Sequence, residues 1–512
     1  MVVPLNVWNQ FGGNPAGSGC RLVNTTAASA PGWAANLPGP TGTSSPVLGP
    51  DRTIYIGTAN GWLVALYPDY QPAGQIKWAV QVPGQGFTSQ FYAVQTPAVA
   101  DDGTIYCICT PEAVVRDHRG TPARAQPSYL VSLSPNGTRR WVTTPDVQRD
   151  LLGDAQGTLN GAPRLLSLPQ SAGGSGVGRG GGRAEARTIG SGPLVNGNPV
   201  NQQTRIVAIA RYSLIQPDPT LGPDSRNRNN VSQLMIVNDI MFGEKRPEPQ
   251  ARVDQVDFEE KFDFVDAQGS GGVGGDDGAT LTETGPSDLP ADAFPCADTP
   301  VILGSLPATG PWSIIATGIQ GLYAVGWDST LFQGTPGQLT KGPTLLPLQT
   351  LQPPLTAAFA NGLVAGFFPG EAALVDPDAF TTLAEASLVP SQGIPFFGQE
   401  TVAGGGRQMY FINRFGHLFA VDFNGTIWRE RGLNHGCVAC PALSGNHLHV
   451  ATTAGLHTLT LDLQDVAFFP LDGAGFSSPA IGPDGAVYVA AGSFLYAFSD
   501  SLPSLGEGFR GL

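Results

Sequence analysis

The chain has 512 residues, of which 41% are hydrophobic and 13% are charged, and its formal net charge is −14. This length and apolar content can bury a large core, whereas the negative charge disfavours binding to nucleic acid or to an anionic membrane surface. The sequence contains no run of 18 or more apolar residues, so it predicts no membrane-spanning segment.

The N-terminal residues 1–43 precede the first clear repeat. Residues 1–13 have neither the basic region nor the apolar stretch of a secretory signal peptide, so no signal peptide is expected at residue 1 and the localisation is left open. One short strand pattern occurs in this segment, around Trp33.

A repeated pattern begins at residue 44. Each copy has a short apolar strand after Ser-Pro, Thr-Pro or, once, Cys-Pro, then a turn with Asp or Gly, and a second strand that carries an aromatic residue. The clearest first and second strands lie at 44–57, 96–106, 440–450 and 477–489. A third strand follows a glycine, at 61–66, 321–325, 416–422 and 494–498. A fourth strand carries tryptophan at Trp78, Trp141 and Trp428.

Short strands rich in Val, Ile, Leu and Tyr, separated by Asp-Gly or Asn-Gly turns, predict small antiparallel sheets. One such sheet cannot bury both of its faces, but sheets stacked radially cover one another. The sequence therefore predicts an all-β fold, with residues 1–512 forming a single β-propeller. The repeats start near Pro46, Pro97, Pro193, Pro300, Leu355, Thr401, Pro441 and Pro479.

These starts predict eight four-stranded blades, with seven as the alternative because the fifth repeat is degenerate. The last repeat has only three evident strands, whereas the segment around Trp33 is a strand without a repeat of its own. We therefore expect the N-terminal strand to close the last blade, which removes two free sheet edges.

Two Gly-rich insertions, 170–187 and 268–290, interrupt the long second and third repeats. They are poor in apolar residues, so the sequence predicts flexible surface loops there, and we expect this side of the ring to be a partner surface. The stretch 253–266 alternates between apolar and acidic residues, which predicts an outer strand with a solvent-facing side.

The combined pattern S-P-x-x-x-x-D-G-x-x-Y-V, G-x-L-Y-A-(L/F)-D and G-x-x-x-W resembles the pyrroloquinoline-quinone-like (PQQ-like) repeat, most clearly at 44–141 and 400–500. The resemblance implies a propeller of the kind found in quinone-dependent alcohol dehydrogenases and in non-enzymatic propellers such as the lipoprotein of the outer-membrane barrel assembly machinery. The dehydrogenases use two adjacent cysteines, a tryptophan against the quinone and carboxylates around calcium.

This sequence has no adjacent cysteines and no matching carboxylate set. It also has no recognisable hydrolase, metalloprotease or nucleotide-binding motif. We therefore expect no catalytic residue and no cofactor, and a chain nearer to the non-enzymatic propellers.

One cluster has residue types and short spacings that suit zinc. The weak metal candidates are His435, Cys437, Cys440, His447 and His449. The repeat offers another explanation, since His449 takes the place of the strand tyrosine and Cys440 that of the Ser or Thr before proline. A redox pair of Cys437 and Cys440 is a further alternative.

The favoured function is a non-catalytic scaffold or protein-interaction module in an envelope, extracellular layer or particle. Its expected partners are other protein subunits, including copies of the same chain. The alternative is a ligand-binding or quinone-dependent oxidoreductase propeller that uses the central channel.

Overall fold

The computed structural model describes residues 8–14, 17–68, 74–84, 92–111, 128–143, 158–159, 162, 164–167, 202–217, 226–241, 250–265, 301–302, 314–318, 321–328, 338–347, 357–360, 363–368, 371–376, 381–387, 400–405, 408–413, 415–422, 424–437, 439–473 and 477–499. Every regular element in these ranges is a β-strand. None of the same residues forms a helix that could cross a membrane.

The strands are named in chain order. The first half of the chain contains β1 (Trp33–Asn36), β2 (Val47–Leu48), β3 (Ile54–Gly57), β4 (Trp62–Leu66), β5 (Ile76–Gln81), β6 (Tyr92–Val94), β7 (Ala98–Val99), β8 (Ile105–Pro111), β9 (Tyr129–Leu133), β10 (Arg139–Thr143), β11 (Thr158–Leu159), β12 (Arg164–Ser167), β13 (Gln202–Pro217), β14 (Arg226–Met241) and β15 (Gln250–Val265). The second half contains β16 (Val301–Ile302), β17 (Ile314–Gly318), β18 (Gly321–Asp328), β19 (Gln338–Pro347), β20 (Ala357–Ala360), β21 (Leu363–Phe368), β22 (Glu371–Asp376), β23 (Thr381–Ser387), β24 (Glu400–Gly405), β25 (Gln408–Asn413), β26 (His417–Asp422), β27 (Ile427–Gly432), β28 (Ala442–Leu443), β29 (His447–Ala451), β30 (Gly455–Thr460), β31 (Asp465–Pro470), β32 (Ala480–Ile481), β33 (Val487–Ala491) and β34 (Phe494–Phe498).

The described strands form eight antiparallel sheets. In order from the inner to the outer strand, the sheets are β2-β3-β4-β5, β7-β8-β9-β10, β12-β13-β14-β15, β16-β17-β18-β19, β20-β21-β22-β23, β24-β25-β26-β27, β28-β29-β30-β31 and β32-β33-β34-β1. Strand β6 adds to β8, and β11 adds to β13. The chain is thus an all-β propeller, and eight blades stays the prediction for the whole ring.

The first strands of successive sheets form the inner ring. They contact one another from β2 through β7, β12, β16, β20 and β24 to β28. Hydrogen bonds continue this ring, because Cys440 N–H donates to Ser478 Oγ (2.8 Å) and Ser478 N–H donates to Ser45 Oγ (2.9 Å). Ser45 N–H in turn donates to Thr96 Oγ1 (2.8 Å). In these three repeats the hydroxyl before the proline, on Ser45, Thr96 or Ser478, therefore joins neighbouring blades, which explains why Ser or Thr recurs there.

Aromatic pairs fill the space farther from the axis. Each pair joins the tyrosine of a second strand to the tryptophan of the fourth strand in the same sheet. The pairs and their centroid distances are Tyr55–Trp78 (5.8 Å), Tyr106–Trp141 (6.0 Å) and Tyr488–Trp33 (6.2 Å). Two of these tryptophans also reach the next blade, since Trp33 Nε1–H donates to Pro68 O and Trp78 Nε1–H donates to Pro135 O. The repeat tryptophan thus joins blades through the outer part of the ring.

The N-terminal strand closes the last sheet, as the sequence predicts. Strand β1 pairs antiparallel with β34, and Trp33 lies opposite Ala497 while Ala35 lies opposite Leu495. The outer edge of β34 is thereby paired instead of open, which closes the ring with residues from both ends of the described chain.

The third sheet begins earlier than predicted. Its inner strand β12 lies at Arg164–Ser167, so a start near Pro193 is wrong. The error arises because the Gly-rich insertion follows this inner strand instead of preceding it, and Arg164–Ser167 carries little of the repeat pattern. Insertions 170–187 and 268–290 lie outside the described residues. The acidic stretch 253–266 falls largely in β15, the outer strand of its sheet, as predicted.

A buried ion pair fixes the third sheet to the second. Asp239 of β14 is 1% exposed, and its carboxylate accepts hydrogen bonds from Arg140 Nη1 (2.6 Å) and from the Tyr106 hydroxyl (2.8 Å). A second bond from Arg140 Nη2 (3.3 Å) makes the pair bidentate. Burial, followed by the nearby Asp239 charge, raises the pKa of Tyr106 well above its ordinary value, so Tyr106 stays a hydrogen-bond donor.

We expect Asp239→Asn to lower the free energy of unfolding by about 2 kcal/mol, because hydrogen bonds to charged groups contribute about 1.5–3 kcal/mol and Arg140 stays buried beside a neutral amide. Urea unfolding at pH 7 measures this. The matched control is Asp484→Asn, since Asp484 pairs with Arg52 at the same 2.6 Å on the partly exposed surface. It should cost less than about 1 kcal/mol, and equal losses in the two variants would contradict the prediction.

Candidate functional site

The axis of the ring contains the chain's own N-terminal residues. We call residues 8–21 the plug; the structure describes 8–14 and 17–21 of them. The plug folds back on itself, since Gly13 N–H donates to Gln10 O and Gly19 N–H donates to Gly12 O. Most of its side chains are buried, including Trp8 at 4%, Gln10 at 1% and Phe11 at 3% exposure.

The plug bonds to the inner strands of five sheets. On one side, Leu48 of β2 donates N–H to Trp8 O (2.8 Å), and Val99 of β7 donates N–H to Asn9 O (2.7 Å). Leu165 of β12 donates N–H to Gln10 Oε1 (3.0 Å).

On the other side, Leu443 of β28 donates N–H to Gly19 O (2.7 Å) and accepts from Arg21 N–H (2.9 Å). Arg21 also donates from Nη1 to Ile481 O of β32 (2.9 Å). Because these strands belong to the inner ring, the plug lies in the channel and pairs polar groups that would otherwise face it.

A second segment, residues 22–32, connects the plug to the outer strand β1, and we call it the strap. It crosses the sheet β28–β31, where Gly445 N–H donates to Val23 O (2.7 Å) and Asn446 Nδ2 donates to Thr25 O (3.0 Å). It also lies against Gly485, whose φ is +83° and where an added Cβ would lie 2.2 Å from Asn24 O. A side chain at this glycine would therefore displace the strap.

His449 lies beneath the strap in the place that tyrosine takes in other sheets. It pairs with Ala442, just as Tyr55 pairs with Val47. On the fourth strand of the first sheet, Trp78 lies opposite the third strand at this level. In the sheet of His449, the equivalent residue on the fourth strand is Ala467. The smaller pair leaves room that the strap fills, which is why histidine replaces tyrosine in this blade.

A directed chain of hydrogen bonds surrounds His449. Its Nε2 lies 2.7 Å from Thr25 Oγ1, and its Nδ1 lies 3.2 Å from Thr458 Oγ1. Thr25 Oγ1 donates to Ser444 Oγ, so its oxygen is free to accept the Nε2 proton of a neutral imidazole. Thr458 Oγ1, which accepts from Ala28 N–H, donates to Nδ1. Burial lowers the pKa of His449 to about 3 and keeps the ring neutral.

Of the other metal candidates, His447 lies beside the hydrogen bonds of His449, whereas Cys437, Cys440 and His435 contact other residues. His447 is the nearest, with its ring centroid 6.0 Å from that of His449 and its Nδ1 3.3 Å from Thr25 Oγ1. The Cys437 thiol donates to Ala439 O and Ala451 O, and burial raises its pKa to about 12, which disfavours the thiolate that zinc or redox chemistry requires.

The Cys440 backbone N–H donates the inner-ring hydrogen bond to Ser478 Oγ. His435 is exposed, and its ring centroid lies 6.3 Å from that of His457 in β30. Across the described ranges, no three His, Cys, Asp or Glu residues are placed to hold a metal ion. The structure therefore brings His447 and His449 together around Thr25 and separates them from the cysteines and His435.

The plug and strap are the structural feature that the sequence did not predict. Residues 8–21 have no alternating apolar pattern, and their contacts are mainly backbone hydrogen bonds to distant strands. The one available signal was the replacement of tyrosine by His449 and of tryptophan by Ala467, which together leave a gap in one blade.

Comparisons with known proteins find only solved structures of low sequence identity. No protein-family profile and no curated protein sequence matches the chain. Among solved structures, the chain is similar to Sqt1 from Saccharomyces cerevisiae, at 8% identity and a TM-score of 0.47 over 93% of this chain and 99% of that one.

It is also similar to a quinohemoprotein alcohol dehydrogenase from Pseudomonas putida, at 10% identity and a TM-score of 0.48 over 98% of this chain and 81% of that one. BamB from Moraxella catarrhalis matches at 11% identity and a TM-score of 0.31 over 87% and 81%. The similar structures include an alcohol dehydrogenase as well as other proteins, so these similarities carry no argument about function. The propeller assignment stands on the strand topology.

Proposed function

We propose that the protein is a non-catalytic propeller that acts as a scaffold or protein-interaction module. The observation that carries the proposal is the plug. The channel is where a propeller of this resemblance would hold a quinone or another small ligand. Here the plug bonds to β2, β7, β12, β28 and β32 along that channel. A chain whose own residues take this space works through its outer surface.

Two further observations support a channel without a quinone. Buried polar groups of five described inner strands bond to the plug, and Arg21, at 6% exposure, donates to Ile481 O. The quinone-binding cysteine pair that the resemblance would require has no counterpart in the sequence. A ligand in the channel would therefore have to displace the plug before it could bind.

A rigid ring suits protein binding. Loops held at fixed positions lose little conformational entropy when a partner docks, which favours affinity. Only 13% of the residues are charged, so the contact should rest on apolar and hydrogen-bonded surface. We accordingly propose other protein subunits, including copies of this chain, as partners.

The test is the salt dependence of the complex isolated from the native source. In one sample the protein is cross-linked to its bound subunits, which are identified by mass spectrometry. In a second sample, without cross-linker, the dissociation constant is measured by sedimentation at about 0.1 M and about 0.5 M NaCl, which changes the screening length by about twofold. We expect a stoichiometric complex whose affinity changes by less than about threefold, because few charges are screened. Quinone-dependent oxidation of an alcohol by the same preparation would overturn the proposal.

A further inference from the structure

The plug, the strap and β1 form one continuous segment, residues 8–36, whose place in the ring is specified mainly by backbone hydrogen bonds. The plug pairs with inner strands, and β1 forms a four-residue ladder with β34. Between them, Gly32 N–H donates to Ala497 O (2.7 Å). The segment therefore lies in an extended groove that runs from the axis to the outer edge of the last sheet.

The groove is specific for this segment. Without it, the N–H groups of Leu48, Val99 and Leu443 would lose their partners inside the channel, and the edge of β34 would be open. His449 would lose Thr25, and the pocket for Trp33 against Tyr488 would be empty. Buried polar groups that lose their partners are costly, so a ring with an empty groove has a strong preference for a segment of this sequence.

The connection from β1 to β2 can present the segment elsewhere. Residues 37–46 contain Pro38, Pro40 and Pro46 and form no strand. Proline restricts the backbone, so the part of this connection before Ser44 favours a chain that points away from the ring once its bonds to the ring open. Those bonds join it to the hairpins it passes: Leu37 N–H donates to Ser493 O, Thr41 N–H donates to Gly492 O and Pro40 O accepts from Ala59 N–H. Ser45 stays in the inner ring in both arrangements.

We propose that the N-terminal segment, residues 8–36, docks into the same groove of a second copy of this chain, so that copies assemble by exchanging it. The proposal rests on the proposed scaffold function and names the chain itself as the partner. Each exchanged contact is identical to the one made within a single chain, so the complementarity of the interface is already present. Exchange of an identical element is an inexpensive route to oligomers.

Concentration decides between the two arrangements. A tethered segment has an effective concentration of about millimolar at its own groove, so exchange becomes comparable when copies reach that local concentration. A crowded layer or particle meets this condition. In dilute solution each segment would stay in the groove of its own ring. An exchanged segment would also tie neighbouring rings together without any new contact surface.

Two variants, each with one added cysteine, test the exchange, and the control below carries the same six native cysteines. Asn36 of β1 lies opposite Phe494 of β34, so Asn36→Cys in one chain and Phe494→Cys in another can form a disulfide only when the segment of the first docks in the second. The two folded variants are mixed at about 1 mM, the concentration at which exchange competes with the tethered segment, oxidised with oxidised glutathione and run on a non-reducing gel.

We expect a heterodimer band at about 1 mM that is at least about tenfold weaker at about 1 µM, because exchange depends on concentration. The matched control mixes Asn36→Cys with Val466→Cys, an exposed position on the neighbouring outer strand β31, and reports random collisions. A heterodimer band no stronger than this control, with both variants folded by circular dichroism, would overturn the proposal. That result would leave the protein-binding function intact, since a complex with another subunit is measured separately.

Discussion

Replacing Trp33 by alanine is expected to lower the free energy of unfolding by about 3–5 kcal/mol, the usual cost of removing a buried tryptophan. Trp33 is 5% exposed, packs against Tyr488 and donates Nε1–H to Pro68 O (2.9 Å) of the first sheet. It therefore holds β1 on the last blade and joins that blade to the first. Equilibrium urea unfolding at pH 7, followed by circular dichroism, measures the loss.

Two controls separate the contribution of the Trp33 hydrogen bond from that of its buried apolar area. Trp33→Phe keeps a six-membered aromatic ring but removes the hydrogen bond and the pyrrole half of the indole, so it should cost about 1–2 kcal/mol, less than Trp33→Ala. Trp78→Ala removes a half-buried tryptophan that makes the same type of bond, to Pro135 O, inside the ring. It should cost less than Trp33→Ala because less apolar area is lost. A Trp33→Ala protein as stable as the wild type would show that the closing strand does not hold the ring together.

Acidification is expected to destabilise the folded chain through His449. Its pKa lies near 6.5 in an unfolded chain and about 3 in the folded one, because burial penalises the charged ring. Between these values the unfolded chain binds a proton that the folded chain does not. The contribution of His449 is therefore complete above pH 6.5 and falls by about 1.4 kcal/mol for each pH unit as the pH drops toward 3.

His449→Gln tests this contribution, because glutamine can still bond to Thr25 but does not titrate. Urea unfolding is measured at pH 7, 5.5 and 4.5, which span the upper part of the titration window. The free energy of unfolding should fall less steeply with decreasing pH in the variant, with a slope that is smaller by the binding of about one proton. The matched control is His447→Gln. Burial also lowers the pKa of His447, but this ring is only half-buried. It should change the slope less, and equal slopes for the wild type and His449→Gln would contradict the prediction.

The fold followed from the sequence where one residue type recurs for one physical reason. The hydroxyl before proline joins inner strands through Ser45 and Ser478, and tryptophan joins outer strands through Trp33, so both positions repeat and are visible in the sequence. The closing role of β1 was predictable because a strand with tryptophan lacked a repeat of its own.

The candidate site was only partly predictable. His449 could be matched to the repeat tyrosine, but its partner Thr25 lies 424 residues away in a segment with no pattern. The plug was missed because backbone N–H and C=O groups form its contacts, and these groups are the same in every residue. The start of the third sheet was misplaced because Arg164–Ser167 is a short inner strand that lacks the motif.

Closure by β1 has a consequence for how the protein is made. The plug and β1 leave the ribosome long before their partners in β32 and β34, since Arg21 and Ile481 are separated by 460 residues. Contacts of such long sequence separation form slowly, and until they form, the growing chain has an open ring with an uncovered sheet edge. Synthesis of the segment that carries β32 to β34 is therefore the step that allows the ring to close, and stalling before it leaves a polypeptide prone to aggregation.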